Sequence, residues 1–315
     1  IEKGTIDAVI VPIINGLSRI ELELKYQLLN TSKLLKKYGH EFHVFDMNIH
    51  GEYNDVEAYC DKFWIQSIHD RWLHGWADAV VHLAGLSLVG PSMAKPTKYY
   101  RANIMGTKNV VENIRTEHVL FASTSSAWEM ASPYAKSKVL AEDVIKEKAD
   151  GYTIFRFFNV SGTDGHNRQL GAPTHLIRVA AMVAAGKIPD LKIFGTDYDT
   201  RDGTCIRDYI HVCDIARAHT LALQYSIKNN QPKSCEIFNL GTGNGITVLE
   251  AIKAFEKVSG LALNYQIGPR RAGDIVAIYA NNDYAVKKLG WEIKYSLEDM
   301  MRTAWEWEKS IAVTN

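Results

Sequence analysis

The sequence lacks the features that mark several specialised classes of protein. Its 36 lysine and arginine residues balance 36 aspartate and glutamate residues, and no basic block points to nucleic acid or to an anionic membrane surface. No apolar run is long enough to span a bilayer, and the first four residues are not typical of a signal peptide. We therefore expect a cytoplasmic protein whose partners include neither nucleic acid nor a membrane.

Cysteine is scarce and scattered. The four cysteines show no CxxC spacing and have no neighbouring histidine cluster, so no metal site is predicted. They stand at positions 60, 205, 213 and 235. We expect them to remain thiols in a reducing compartment. A linker rich in proline, glycine and serine is also missing, and no internal repeat is visible.

Short apolar runs alternate with helical patterns in the first half of the chain. The apolar runs cover residues 7–11, 41–45, 77–83 and 119–122, and the helical patterns cover 18–38, 91–114 and 133–149. This alternation predicts βαβ units and a parallel sheet that is covered on both faces. We therefore predict an α/β fold with a Rossmann-type, doubly wound parallel sheet.

After about residue 157 the regular alternation of apolar runs and helical patterns gives way to more irregular segments. We expect residues 1–157 to form the nucleotide-binding (Rossmann) domain. Residues 158–315 are expected to form mainly a smaller α/β substrate-binding lobe, with the segment of about 205–240 returning to the first domain. The functional site is expected between the two parts.

The most informative motif places Tyr134 and Lys138 four residues apart on a predicted helix, where positions i and i+4 share one face. A lysine beside a tyrosine favours the ionised phenol, which can then take a proton from a substrate hydroxyl group. The polar run of residues 123–126 precedes this helix, and one of its hydroxyl groups can hold the substrate oxygen. This set suits hydride transfer from a secondary alcohol to a nicotinamide.

The same spacing recurs at Tyr284 and Lys288. We interpret that second copy as ordinary helix, because neither a strand nor a run of serine and threonine precedes it. For a lone Tyr–Lys pair, a purely structural role is the simpler interpretation. The order of strand, hydroxyl run, helix and next strand is what distinguishes Tyr134.

Three positions near predicted strand ends are candidates for cofactor contact. Asp46 ends the second strand, where a carboxylate can accept hydrogen bonds from the adenosine ribose of NAD. A solvated turn aspartate fits Asp46 equally well. Ala84 and Gly85 end the third apolar run, where the backbone either lies against a cofactor or makes a tight strand-to-helix turn.

From residue 78 to residue 307 the order of motifs resembles the extended short-chain dehydrogenase/reductase family, most closely its UDP-glucose 4-epimerase branch. The matching segments are residues 79–86 (AVVHLAGL), 95–107 (KPTKYYRANIMGT), 156–162 (RFFNVSG), 202–212 (DGTCIRDYIHV), 238–243 (FNLGTG) and 269–274 (PRRAGD). Any one of these segments is a weak signal, whereas all six in this order make a specific one.

The resemblance implies a role for each of several residues. In the catalytic set, Tyr134 is the base, Lys138 binds the nicotinamide ribose, and Thr124 holds the sugar 4-oxygen. The implied cofactor-binding residues are Asp46, Ala84, Gly85, Asn103, Ser123, Tyr134, Lys138 and Phe158. The implied substrate-binding residues are Thr124, Asn159, Arg207, Arg271 and Asp274. The two arginines are expected on the diphosphate, because guanidinium forks match its oxygens, and Asp274 on the uridine ribose.

The reaction implied by the resemblance is NAD-dependent epimerisation of a UDP-hexose at C4, which interconverts UDP-glucose and UDP-galactose through a 4-keto intermediate. Ser125 and Ser126 stand where the family's dehydratases carry an Asp-Glu pair, which argues against a 4,6-dehydratase. Ile278 occupies the position that limits sugar size, and it leaves the identity of the hexose open. The implied assembly is a homodimer joined through the helices at about 92–114 and 133–149.

The stretch after the first strand departs from the family's glycine-rich loop. Residues 11–19 read VPIINGLSR, where only Gly16 remains and Pro12 has no N–H to offer a pyrophosphate. One interpretation is an epimerase that binds NAD through an altered contact. The alternatives are a catalytically silent sugar-nucleotide-binding protein with a degenerate NAD loop, and a related NDP-sugar epimerase or oxidoreductase.

Three tryptophans lie in a segment, residues 48–76, that matches nothing in the family pattern. They stand at positions 64, 72 and 76. We interpret them as part of a helix and of core packing rather than as a stack for adenine.

Overall fold

The computed structural model describes residues 7–11, 41–46, 60–65, 67–70, 73–165, 174–228, 233–271 and 274–313. Its large sheet consists of β1 (Asp7–Val11), β2 (Glu41–Asp46), β3 (Lys62–Ile65), β4 (Gly75–His82), β5 (Ile114–Thr124), β6 (Tyr152–Phe157) and β11 (Cys235–Leu240). These strands are parallel and lie in the order β11-β6-β5-β4-β1-β2-β3. The order reverses between β1 and β4, which is where doubly wound sheets bind nucleotides.

The helices are numbered here along the described residues. They are α1 (Val89–Ala94), α2 (Pro96–Tyr100), α3 (Gly106–Asn113), α4 (Pro133–Lys148), α5 (Leu176–Ala184), α6 (Val212–Lys228), α7 (Val248–Ser259), α8 (Asp283–Leu289) and α9 (Leu297–Val313). A π-helical turn (Arg101–Met105) joins α2 to α3, and a 3-10 turn (Ser125–Trp128) follows β5. Within the described ranges, no helix is both long and apolar enough to cross a bilayer.

Both faces of the large sheet are covered, as the continuous apolar character of β5 requires. Successive residues of a strand point to opposite faces. Leu120 therefore packs with Ile215 of α6 on one side, and Phe121 packs with Val110 of α3 and Ala141 of α4 on the other. This confirms the predicted α/β fold and its doubly wound parallel sheet.

The second half of the chain adds short paired strands and a separate core. The strands are β7 (Asn159–Ser161), β8 (Leu191–Phe194), β9 (Ile206–Arg207), β10 (Tyr209–His211), β12 (Ile246–Thr247) and β13 (Tyr265–Gly268). β7 pairs with β10, β8 with β13, and β9 with β12. Buried residues of α5, α7, α9 and β8 form a core of their own beside the large sheet.

Some details of the sequence-based prediction are wrong. The helical pattern over 91–114 is not one helix, because a break at Lys95 and the π-helical turn divide it. Trp64 and Trp76 stand on strands β3 and β4 with exposed side chains, so they are neither helical nor part of the core. Trp72 and the helical pattern over 18–38 lie outside the described residues. The division of the chain at residue 157 stays a prediction.

Candidate active site

Helix α4 presents Tyr134 and Lys138 at the carboxyl-end edge of the sheet. The helix begins with Pro133 at its first position, and the Ser132 hydroxyl accepts a hydrogen bond from the Ala135 N–H at 3.1 Å. Both features favour a helix start at this point. Tyr134 therefore stands in the first turn, and Lys138 stands one turn later on the same face.

The Lys138 side chain is buried, with 3% of the residue exposed. Its ammonium nitrogen lies 4.1 Å from the centre of the Phe121 ring and makes no hydrogen bond to a described residue. Burial lowers the pKa of Lys138 to about 7, against the opposing effect of the Glu142 carboxylate. A buried ammonium of this kind is costly unless a ligand oxygen or a neighbouring charge stabilises it.

Asn103 links the loop after β4 to helix α4. Its side-chain oxygen accepts a hydrogen bond from the Leu86 N–H at 2.7 Å. Its amide nitrogen donates to the Leu86 carbonyl at 3.1 Å and to the Ser137 hydroxyl oxygen at 2.8 Å. Ser137 in turn donates to the Tyr134 carbonyl at 2.7 Å. Asn103 sits in the π-helical turn, and such turns are frequent at functional sites.

Gly85 lies next to the hydrogen bonds of Asn103. A Cβ atom at that position would lie 3.0 Å from the Asn103 side-chain oxygen and 3.4 Å from the Lys138 ammonium. The absence of a side chain there lets Asn103 and Lys138 approach the backbone of the loop closely. Tyr134 is 9% exposed, and its ring meets that of Tyr99 edge-on with centroids 6.4 Å apart. The structure therefore brings Gly85, Asn103, Tyr134 and Lys138 together.

Ser123 and Thr124 end strand β5 next to this group, but their hydroxyls have different partners. Ser123 donates to the Glu142 carboxylate at 2.5 Å, so its side chain faces helix α4. The Thr124 hydroxyl accepts from the Ser126 N–H at 3.2 Å and caps the 3-10 turn. Thr124 also pairs with Phe157 across the strands, which places it beside the chain leading to Phe158.

A second cluster gathers around Asp208, which is fully buried. Its carboxylate accepts hydrogen bonds from the Thr242 N–H at 2.8 Å, the Gly243 N–H at 2.9 Å and the Ala280 N–H at 3.0 Å. Its carbonyl accepts from the Asn159 N–H at 3.0 Å and from the Asn159 side chain at 3.2 Å. Asp208 thus holds three separate loops around the segment that carries Arg207.

Asp274 lies between the two predicted diphosphate arginines. Its oxygen is 2.8 Å from Arg271 and 3.6 Å from Arg207. Arg207 also donates to the carbonyls of Ile206 and Ile275 at 2.8 and 2.7 Å, which fixes its guanidinium in place. The Arg271 side chain is 57% exposed and lies 5.1 Å from the ring of Phe194. Two guanidinium groups converge here, and one of them is open to solvent.

Other predicted residues are placed only in part. Ala84 and Phe158 are buried, and the Phe158 N–H donates to the Leu240 carbonyl at 3.2 Å. Asp46 is the last residue of β2, but its side chain lies outside what the structure describes. The glycine-poor stretch from Pro12 to Arg19 is outside it as well.

The second Tyr–Lys copy is ordinary surface helix, as predicted. The Tyr284 hydroxyl donates to the Glu236 carboxylate at 2.5 Å, and Lys288 pairs with the same carboxylate at 3.2 Å. Both residues belong to α8, away from the strand ends that carry Thr124 and Gly85.

Sequence reasoning missed three residues of the site. Phe194 lies against Arg271, and the buried Glu142 forms an ion pair with the partly buried Arg156 behind Ser123. Glu142 had a visible signal, because Tyr134, Lys138 and Glu142 repeat at intervals of four and therefore lie on nearly one helix face. Phe194 had only its position before a loop.

Comparison with known proteins gives a consistent result. The chain matches the NAD dependent epimerase/dehydratase family over residues 30–241. It is 38% identical to the UDP-glucose 4-epimerase of Bos taurus over 259 residues, which cover 73% of each chain. Its fold superposes on the UDP-glucose-4-epimerase of Stenotrophomonas maltophila with bound NAD and formylated UDP-arabinopyranose, with a TM-score of 0.85, 29% identity and coverage of 98% and 100%. The Bifidobacterium longum enzyme in complex with NAD+ and UDP gives a TM-score of 0.81, 28% identity and coverage of 96% and 98%.

Proposed function

Because the chain belongs to the NAD dependent epimerase/dehydratase family, we propose that it epimerises a UDP-hexose at C4 with NAD as cofactor. Its preferred pair is UDP-glucose and UDP-galactose. The observation that carries this proposal is the buried Lys138 ammonium beside Tyr134, close to the backbone of Gly85. This is an arrangement for a hydroxyl-bearing ligand rather than for a packed core.

The residues present fit a dinucleotide at the nicotinamide end. Lys138 has a donor to offer a ribose hydroxyl, and the backbone of Gly85 approaches it closely because no side chain stands between them. Asn103 is committed to Leu86 and Ser137, so its role is to hold this wall of the site. Ala84, Ser123 and Phe158 complete the nearby strand ends, and Asp46 stands at the end of β2 for the adenosine ribose.

Tyr134 acts as the proton acceptor at the sugar 4-hydroxyl, and Thr124 holds the same oxygen in place. NAD bound beside Lys138 would supply the redox chemistry at C4. Lys138 stabilises the phenolate of Tyr134 by charge, because the two side chains share one face of α4. Tyr134 would also return the proton to the oxygen of the epimerised hydroxyl.

The UDP moiety is held by the residues near Asp208 and Asp274. Arg207 and Arg271 bind the diphosphate, Asp274 accepts hydrogen bonds from the uridine ribose, and Asn159 contacts the nucleotide sugar. Charge-assisted bonds from guanidinium groups are among the stronger polar contacts in proteins. Binding of the nucleotide keeps the 4-keto intermediate in the site while the hexose ring rotates.

The proposal includes a homodimer that works in the cytoplasm. Its support is the exposure of apolar side chains in the predicted dimer segments, where Met93, Met105 and Leu140 are each about half exposed. None of the four cysteines, all of them in the described part, forms a disulfide. Light scattering combined with gel filtration measures the mass; a monomer at micromolar concentration would exclude the dimer.

The test of the function is a coupled assay of the purified chain with several UDP-sugars, alongside mass spectrometry of any cofactor released on denaturation. We expect turnover of UDP-galactose to UDP-glucose and release of NAD. The opposite result is a protein that binds UDP, releases no NAD on denaturation and converts no UDP-sugar in saturating NAD. That result would identify it as the silent sugar-nucleotide-binding protein. Turnover of another nucleotide sugar alone would point to the related epimerase.

A further inference from the structure

Glu142 is a fully buried carboxylate that the proposed chemistry does not use. It has 0% exposure and lies one turn beyond Lys138 on α4. One oxygen accepts hydrogen bonds from the Ser123 hydroxyl at 2.5 Å and from Arg156 at 3.0 Å. The other accepts from Arg156 at 2.7 Å. A buried charge bound in this way on two sides persists only where its partners are fixed.

Arg156 and Trp128 close the outer side of this carboxylate. The Arg156 side chain comes from β6 and lies 4.8 Å from the ring of Trp128, which belongs to the short turn after β5. Lys146, one turn further along α4, approaches the carboxylate to 3.6 Å. The ion pair is therefore covered by an aromatic ring, in a setting where charges interact strongly.

The position of Glu142 connects α4 and β5, which carry the predicted catalytic residues, with β6, which leads to the predicted cofactor-binding residue Phe158. Ser123 is followed directly by Thr124, and Arg156 lies on the strand that continues to Phe158. Glu142 itself is on the helix of Tyr134. Its hydrogen bonds therefore tie the ends of β5 and β6 to α4, which fixes the proton acceptor relative to the hydroxyl that holds the sugar.

Glu142 also has an electrostatic effect along the helix. Burial lowers the pKa of Lys138, and the Glu142 carboxylate raises it. Besides Arg156 and Lys146, the ionisable groups around the pair are Tyr134 on the same helix, His82 on β4 behind the Phe121 ring, and Tyr152 on β6, whose pKa burial raises. Among these groups, Glu142 bears the negative charge that favours the ammonium.

We propose that Glu142 is the positioning residue of the Tyr134–Lys138 couple: its buried carboxylate holds the ends of β5 and β6 against α4 and places a negative charge on the helix face that carries Lys138 and Tyr134. Its role in catalysis rests on the proposed epimerase function, whereas its effect on Lys138 does not. Glu142 touches neither the sugar nor the cofactor, so it acts only through Lys138, Ser123 and Arg156.

The test compares Glu142→Gln with Asp143→Asn in the full-length protein. Asp143 is the next residue, is exposed and also pairs with Lys146, so its variant removes one negative charge from the solvent side of the same helix. Carbon-13 NMR of labelled lysine, assigned by the signal lost in Lys138→Met, follows the titration of Lys138. We expect its midpoint to fall by about one unit in Glu142→Gln, as for the loss of a nearby opposite charge, and to stay in place in Asp143→Asn.

The kinetic measurement is the pH profile of kcat for the UDP-hexose. We expect Glu142→Gln to lower kcat by about tenfold or more, with little change in KM, and to move the alkaline limb of the profile to lower pH. A fall in kcat with an unmoved limb and an unmoved Lys138 titration would overturn the proposal and leave a structural role. If no variant, wild type included, turns over, the epimerase function fails while the NMR result still decides the effect on Lys138.

A second variant covers the case in which Glu142→Gln does not fold because Arg156 is left buried without a counter-charge. The double variant Glu142→Gln with Arg156→Met removes both charges, and Met keeps an apolar contact with Trp128. We expect the midpoint of the Lys138 titration to move to lower pH in this variant too, since Glu142 is the group that raises the pKa of Lys138. An unchanged midpoint would contradict the proposal.

Discussion

Tyr134 and Tyr284 allow a matched comparison at the scale of single residues. Both begin a Tyr–Lys pair of the same spacing, but only Tyr134 is buried and precedes a buried lysine, Lys138, by one helical turn, whereas Tyr284 is bound to Glu236 at the surface. We expect Tyr134→Phe to lower kcat by about 10²–10⁴-fold, the usual contribution of a proton-transferring group, while UDP affinity changes little. Steady-state kinetics and calorimetry with UDP measure the two effects.

Tyr284→Phe is the control and is expected to keep full activity. Comparable losses in the two variants would remove the assignment of Tyr134 as the base, since the hydroxyl would then matter equally at both places.

The lowered pKa of Lys138 leads us to expect that the stability of the cofactor-free protein depends on pH. The pKa of Lys138 is about 7 in the folded chain against an ordinary value of 10.5. Below about pH 7 the side chain is charged in both states, so the folded state bears the full cost of its burial. As the pH rises from about 7 towards 10.5 the folded state releases the proton first, and this destabilisation disappears.

Lys138→Met should therefore raise the unfolding temperature of the cofactor-free protein at about pH 6.5, with a gain that shrinks towards about pH 10. Thermal unfolding followed by circular dichroism across this range measures the effect. Lys136→Met changes an exposed lysine of the same helix and should give no such trend. A pH-independent gain in the Lys138 variant would indicate a packing effect instead.

At the scale of elements, the buried Asp208 carboxylate organises the loops after β11 and before α8. Asp208→Asn would place an amide N–H₂ group against backbone N–H donors of Thr242, Gly243 or Ala280, where an acceptor is required. We expect a loss of about 1–3 kcal/mol in the free energy of unfolding, the cost of unsatisfied buried donors. Denaturant titration measures it.

The exposed Asp199→Asn is a suitable control for this change, and its free energy of unfolding should stay within error of the wild type. A variant Asp208→Asn of unaltered stability would mean that the loops hold their conformation without this carboxylate.

The π-helical turn shows what sequence patterns miss at the same scale. The periodicity of residues 91–114 predicts one helix, whereas the turn at Arg101–Met105 widens the helix where Asn103 reaches Leu86 and Ser137. A single extra residue per turn leaves almost no trace in the spacing of apolar residues. The π-helical turn depends instead on tertiary hydrogen bonds, because these satisfy the buried side-chain amide of Asn103.

At the scale of the whole molecule, the predicted UDP site joins residues that are far apart in the chain. Arg207 and Arg271 meet at Asp274 although 64 residues separate the two arginines in sequence (271 − 207). We expect Arg271→Ala to weaken UDP binding by about tenfold or more, the loss of a charge-assisted contact, with little effect on stability, because its side chain is mostly exposed. Isothermal calorimetry with UDP measures the affinity.

Arg270 supplies the control for this change. It is the neighbouring arginine, and it pairs with Asp197 at 2.8 Å and lies over Tyr198. Arg270→Ala should leave the affinity for UDP unchanged. Equal losses at both positions would reject a specific role for Arg271 and leave only the general effect of positive charge.

The sequence by itself determined the parallel sheet, the Tyr–Lys helix after β5 and the family, because apolar alternation and ordered motifs depend on local chemistry and on spacing along the chain. The resemblance also implied a diphosphate site at Arg207 and Arg271, which stays a prediction. Only the tertiary structure decided that Lys138 is buried without a hydrogen bond to a described residue, that Glu142 and Arg156 lie behind Ser123, and that Asp274 joins two distant arginines. Burial and contact between distant segments set these features, since desolvation and charge pairing act through space and leave no period in the sequence.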